Sequence, residues 1–133
     1  MPNAVYPKFK EQALQGGVTL LTGLVKVMVI DEQDYTYDEA HEFLSSVPVA
    51  ARIATSGALT GKTFANGLFD ADDTTIASVT GDQSEALLLF IDTGNPATSR
   101  LVAYFNTGVT NLPILPNGSG INVLWNASGI FQL

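Results

Sequence analysis

The segment Gly57-Ala-Leu-Thr-Gly61-Lys62-Thr63 ends as a phosphate-binding loop does, in Gly-Lys-Thr after an earlier glycine. Two features count against phosphate chemistry. A P-loop places four residues between its glycines where this chain has one fewer, and it opens a helix whose N-terminus holds the phosphate. Here Thr63-Phe-Ala-Asn-Gly follows, which reads as strand and turn, so a hairpin is the expected structure. Asp70, Asp72 and Asp73 group three carboxylates that Asp82 or Asp92 would join in a calcium site if the fold brought them near. The pattern lacks the sharp-turn glycine and closing bidentate Glu of a twelve-residue calcium loop, so a solvated acidic turn is expected. Asp31, Glu32 and Asp34 are read the same way.

His41 is the single histidine, which rules out a cluster of imidazole metal ligands. No Gly-x-Ser-x-Gly elbow supplies a nucleophile for it to activate, so it is expected on a helix surface or at an interface. Acidic pairs suited to glycoside hydrolysis occur in any acidic β protein, and no pair stands out. Asn117-Gly-Ser and Asn126-Ala-Ser match the glycosylation acceptor, but Met1 to Gly17 does not read as a secretory leader, so both are expected to be turn residues without a glycan. Trp125 alternates with Val123 and Ile121 and is expected in the core. Tyr35 and Tyr37 alternate beside acidic residues, where burial and a partner-facing role are equally expected. With Val5, Tyr6 and His41 they make up the interface candidates, Met1 to Val5 being placed to reach a neighbour. No residue is assigned as catalytic, and no cofactor or metal is called for.

The elements that carry these residues follow from periodicity. Tyr6 to Gln15 predicts a short amphipathic helix with Pro7 in its first turn, Phe9, Ala13 and Leu14 on one face, and Gly16-Gly17 as its stop. Leu24 to Ile30 is apolar on both faces except at Lys26, as a central strand is. Asp31 to Asp34 then returns the chain to solvent. A second helix is expected over Asp38 to Ser46, capped by Thr36 or Asp38, with Ala40, Phe43 and Leu44 inward and Pro48 as its end. Strand-length segments follow at Ala51–Ala54, Lys62–Leu68, Thr74–Val79, Glu85–Asp92, Arg100–Asn106, Ile121–Trp125 and Ile130–Leu133. Asn66-Gly67, Thr80-Gly81-Asp82, Thr93-Gly94-Asn95-Pro96 and Asn117-Gly118 supply turns. That cadence predicts a mainly β fold, an antiparallel β-sandwich or barrel with one or two short helices, as a single domain over 1–133.

Composition bounds the partners. With 133 residues there is room for one core, and without cysteine it must hold by packing alone. Thirteen acidic residues against six basic ones give a net charge of −7, a field that repels phosphate backbones and anionic lipid, so neither nucleic acid nor membrane is an expected partner. Only 14% of residues are charged while 46% are hydrophobic. Burial against other subunits accounts for that balance, and so does a β surface rich in Ser, Thr, Asn and Gly.

Taken in order, Tyr6-Pro-Lys-Phe-Lys, Lys26-Val-Met-Val-Ile-Asp, Asp34-Tyr-Thr-Tyr, His41-Glu-Phe-Leu-Ser, Ala51-Arg-Ile-Ala-Thr-Ser-Gly-Ala-Leu-Thr-Gly-Lys-Thr, Gly67-Leu-Phe-Asp-Ala-Asp-Asp, Val79-Thr-Gly-Asp-Gln-Ser-Glu-Ala-Leu and Leu112-Pro-Ile-Leu-Pro-Asn-Gly span nearly the whole chain. Together they resemble a family of small virion structural proteins of tailed bacteriophages. The resemblance implies a particle component, assembled in the host cytoplasm and located in the virion. Its preferred role is capsid decoration (cement), with the major capsid protein as partner and a homo-oligomer such as a trimer as the bound form. A tail, collar or fibre component is the alternative. A carbohydrate- or receptor-binding β-sandwich using Tyr35, Tyr37 or the Asp70–Asp73 turn is the second. The resemblance transfers no catalytic residue, and an enzyme is the least supported reading.

Overall fold

A strand that is apolar on both faces needs cover above and below, and β2 (Leu24–Ile30) has it. In the computed structural model, which describes residues 3–126 and 128–132, β2 lies inside a five-stranded antiparallel sheet. Its order is β1 (Ala4–Val5), β8 (Arg100–Phe105), β7 (Ala86–Asp92), β2 and β3 (Arg52–Thr55). The β2–β7 register sets Val25, Val27 and Val29 opposite Ile91, Leu89 and Leu87 on one face. Met28 and Ile30 oppose Leu88 and Ala86 on the other. All of these side chains are buried. Burying each valine, leucine or isoleucine contributes about 1.5–3 kcal/mol, so this pair of strands is the centre of stability.

Different structures cover the two faces. Over the face of Leu87 and Phe105 lie two small antiparallel sheets, one of β4 (Thr63–Ala65), β5 (Leu68–Asp70) and β10 (Phe131–Gln132), the other of β6 (Thr74–Ile76) and β9 (Ile121–Val123). Helix α1 (Pro7–Gln15) joins them through Phe9, whose ring meets Phe131 edge-on at 6.3 Å. Phe131 in turn packs on Phe69 and Phe69 on Phe64, each pair at 5.4 Å. The opposite face, with Met28, Leu88 and Tyr104, is covered by the irregular stretch 31–51 through Tyr35 and Leu44. The result is sandwich-like, and the sheets do not close into a barrel. Among the described residues no helix is long and apolar enough to cross a membrane.

Most expected strands are present with ends moved by one or two residues, though β6 stops at Ile76, three short of Val79. Lys62–Leu68 is the exception, because Asn66 and Gly67 both take positive φ, 55° and 75°, and fold it into the β4–β5 hairpin. Leu133 of the last expected strand and Met1 and Pro2 of the expected N-terminal extension lie outside the described residues. Helix α1 starts at Pro7 and ends where Gly16 turns left-handed at φ 74°, with the Gly17 N–H returned to the Gln12 carbonyl at 2.9 Å. Leu14, expected beside Phe9, instead faces outward.

The second expected helix does not form. Asp38 to Ser46 contains only a 3-10 turn at Leu44–Ser46, and Asp38 uses its side chain in a local turn, accepting from the Ala40 N–H at 2.8 Å. The reason is a vacancy at the sheet edge. β1 pairs only with Ala103 and Tyr104, so the start of β8, paired with β7 on one side, has no strand beside it on the other. The chain fills that side: Leu44 N–H donates to the Ser99 carbonyl at 2.8 Å and Leu101 N–H to the Glu42 carbonyl at 3.0 Å. Those backbone groups cannot serve a helix as well.

Candidate functional site

All four tyrosines and the one histidine converge. The Tyr6 and Tyr35 hydroxyls share a hydrogen bond at 2.8 Å, and the Tyr35 hydroxyl is 2.9 Å from His41 Nδ1. The Tyr37 ring packs on Tyr6 at 4.9 Å, and Tyr104 meets Tyr35 at 5.6 Å and Tyr37 at 5.8 Å. β1 and the first turn of α1 deliver Tyr6, β8 delivers Tyr104, and the loop after β2 delivers the rest. Of the interface candidates, Tyr6 and Tyr35 are therefore buried within the chain, while Val5, Tyr37 and His41 keep partial exposure. Burial pushes the Tyr35 hydroxyl up to about 12, with the Tyr6 hydrogen bond pulling the other way. Burial, then the neighbouring Tyr35, raises Tyr6 further, and burial with the Glu32 carboxylate raises Tyr104. These hydroxyls stay neutral across the physiological range and act as a polar core. Among the described residues no buried side-chain nitrogen or oxygen lacks a partner.

The acidic segments fall out differently from their sequence reading. Asp70 accepts from the Ala71 N–H at 2.8 Å, Asp72 from the Thr60 hydroxyl at 3.4 Å, and Asp73 from the Trp125 N–H at 2.7 Å. Each serves a different local bond, and neither Asp82 nor Asp92 joins them in a group of ligating oxygens. Among the described residues the carboxylates that do meet are Asp31, Asp34 and Asp82, with ligand oxygens within 4.8 Å of one another. Their oxygens would suit a hard cation such as calcium, though three carboxylates supply only part of a six- to eight-oxygen shell. Asp82 comes from a turn some fifty residues along the chain, a convergence with no local sequence signal. Asp31 is only 3% exposed and accepts from the Gln33 N–H at 2.9 Å, so the expected return to solvent is made at Gln33 and Asp34 and not at Asp31. Glu32 accepts from the Tyr104 hydroxyl at 2.7 Å and from Asn106 Nδ2 at 3.0 Å. Burial, reinforced by Asp31 and Glu32, raises the Glu85 carboxyl against the opposing Glu32 N–H hydrogen bond.

Lys62 closes the question of the Gly-Lys-Thr segment. Its ammonium donates to the carbonyls of Leu20, Leu21 and Gly23 at 2.7, 3.1 and 2.9 Å, which uses all three of its protons. Gly61 before it sits at φ +65°, a turn conformation, with the Asp72 carboxylate where a Cβ would go. Three other cations are also engaged. Lys26 pairs with Asp92 at 2.6 Å, Arg100 pairs with Glu42 at 2.9 Å and lies over the Phe43 ring, and Arg52 donates to the Val47 and Leu44 carbonyls.

Trp125, expected in the core, is instead half-buried on the wall of a groove of about 440 Å³. Its indole meets Phe105 at 6.4 Å, and its Nε1 donates to the Asp72 carbonyl at 3.2 Å. The acidic turn read as a calcium candidate thus fixes the tryptophan through two backbone and side-chain acceptors.

Compared with known proteins, the chain matches no family model and no curated sequence.

Proposed function

We propose that this protein is a structural component of a tailed-bacteriophage virion, acting as a capsid decoration protein on the outer surface of the major capsid shell. The observation that carries this reading is a set of large apolar side chains turned outward from a rigid frame. Leu14 is 89% exposed and Leu21 66%, with Leu24 and Phe64 also exposed. They sit on α1, the loop after it, the start of β2, and β4, and Lys62 fastens that loop to the β4 end. Fixed apolar surface lowers the ordering cost of association, and each Å² covered is worth roughly 25 cal/mol. Contacts repeated around a shell add up. The acidic balance, with most cations engaged inside the fold, favours an outer position away from packaged DNA. The ordered resemblance along the chain supplies the particle context.

The reading is tested by replacing Leu14, Leu21 and Phe64 together with serine. The folded variant is expected to melt within a few degrees of the wild type, since none of the three is buried, and to be lost from purified particles. Full incorporation of the triple variant into the shell would contradict the proposal.

A further inference from the structure

We propose that the groove beside Trp125 is a binding site for a neutral saccharide. It lies between the end of β8, the segment after β9, and β10, and its volume of about 440 Å³ is that of an ordinary small-ligand site. Three half-buried aromatic rings, Phe105, Trp125 and Phe131, contribute to its walls. Polar groups at the same groove retain hydrogen-bonding capacity among the described residues: the Asn126 Nδ2, the Ser128 hydroxyl and the Gln132 Oε1. Gln132 is held in place by its Nε2, which donates to the Asn66 carbonyl at 3.0 Å.

No described residue lining the groove carries a charge, although the chain as a whole is strongly acidic. Among the described lining residues an anionic ligand would find no cation, and a cationic one no carboxylate. A purely apolar ligand would leave the amides and hydroxyl without partners, at a cost. A sugar ring matches both halves of the lining, its C–H face lying against an aromatic ring and its hydroxyls meeting amide and hydroxyl groups at the edge. The indole is prepared for that role, because Asp73 Oδ1 accepts from the Trp125 N–H and the Asp72 carbonyl from its Nε1. Asp72 and Asp73 are thus positioning residues, and Trp125 is the platform.

Trp125 is the single tryptophan, so its emission reports on this groove alone. The test titrates the intact chain with neutral oligosaccharides of the glucose, mannose, galactose and N-acetylglucosamine series, following Trp125 fluorescence and amide chemical shifts. The expected result is a saturable change with at least one series and shifts confined to the groove. Ser128→Ala and Gln132→Ala, both at exposed or partly exposed positions, are expected to weaken binding several-fold without altering the fold. Trp125→Ala is expected to weaken it about tenfold or more, as loss of an aromatic anchor does. The proposal is overturned if no series gives saturable shifts up to about 20 mM, a range that covers even millimolar affinity. It is equally overturned if emission changes only with protein concentration, which would assign the groove to a contact between copies of the chain.

Discussion

At the residue scale, the chemistry-bearing side chains of this protein are engaged mainly in holding the fold. The tyrosine cluster gives the clearest consequence. A tyrosine in an unfolded chain ionises near pH ~10, while Tyr35 is held up to about 12 by burial and Tyr6 and Tyr104 are also raised. Stability from keeping them neutral is complete below pH ~10 and drains as pH rises through the folded values, at up to about 1.4 kcal/mol per pH unit for each tyrosine. Urea unfolding is therefore expected to show a midpoint that is level from pH 7 to 9 and falls steeply above 10, with a shallower fall in Tyr35→Phe. A midpoint unchanged up to pH 11.5 would contradict the buried network. Asp92 behaves with the opposite sign. Its hydrogen bond to Lys26, then that from the Gly94 N–H, lowers its carboxyl below the usual range. Its stabilisation is present above pH ~4 and lost as pH falls through the folded value. Asp92→Asn should cost about 1 kcal/mol at pH 7 and converge with the wild type near pH 2, as thermal melts across that range would show.

At the scale of elements, β2, β7 and β8 were legible because apolar runs of strand length bounded by turn residues have few alternatives. The Asn66-Gly67 turn was legible too, but the strand drawn through it was not compatible with positive φ at both residues. Asp38 to Ser46 carried a helix-like pattern and lost it to a need no local pattern reveals, the open side of the start of β8 beyond the end of β1. The same limit applies to the candidate sites. Tyr35 and His41 stood out by type, but their meeting with Tyr6 and Tyr104 depends on sheet order, and the Asp31–Asp34–Asp82 grouping depends on where a distant turn lands. Lys62 was singled out for a phosphate motif and serves as a clamp. Lys62→Met should therefore destabilise the chain by about 1–3 kcal/mol, read as a lower urea midpoint. Resonances of residues 18–24 should shift, whereas an unchanged midpoint and unshifted loop would show the three carbonyl bonds to be unimportant.

At the scale of the molecule, one sheet buried on both faces carries an outer surface that is acidic, sparsely charged and bears exposed apolar side chains. The proposed association with capsid subunits would draw on that apolar surface. The proposed capsid location is decided by a cryo-electron-microscopy map of intact particles from the source of this chain. Density for this sandwich is expected on the outer shell, following the capsid's symmetry, with Leu14, Leu21 and Phe64 against the major capsid protein. Density confined to the tail, collar or fibres, or a shell without it, would contradict the account.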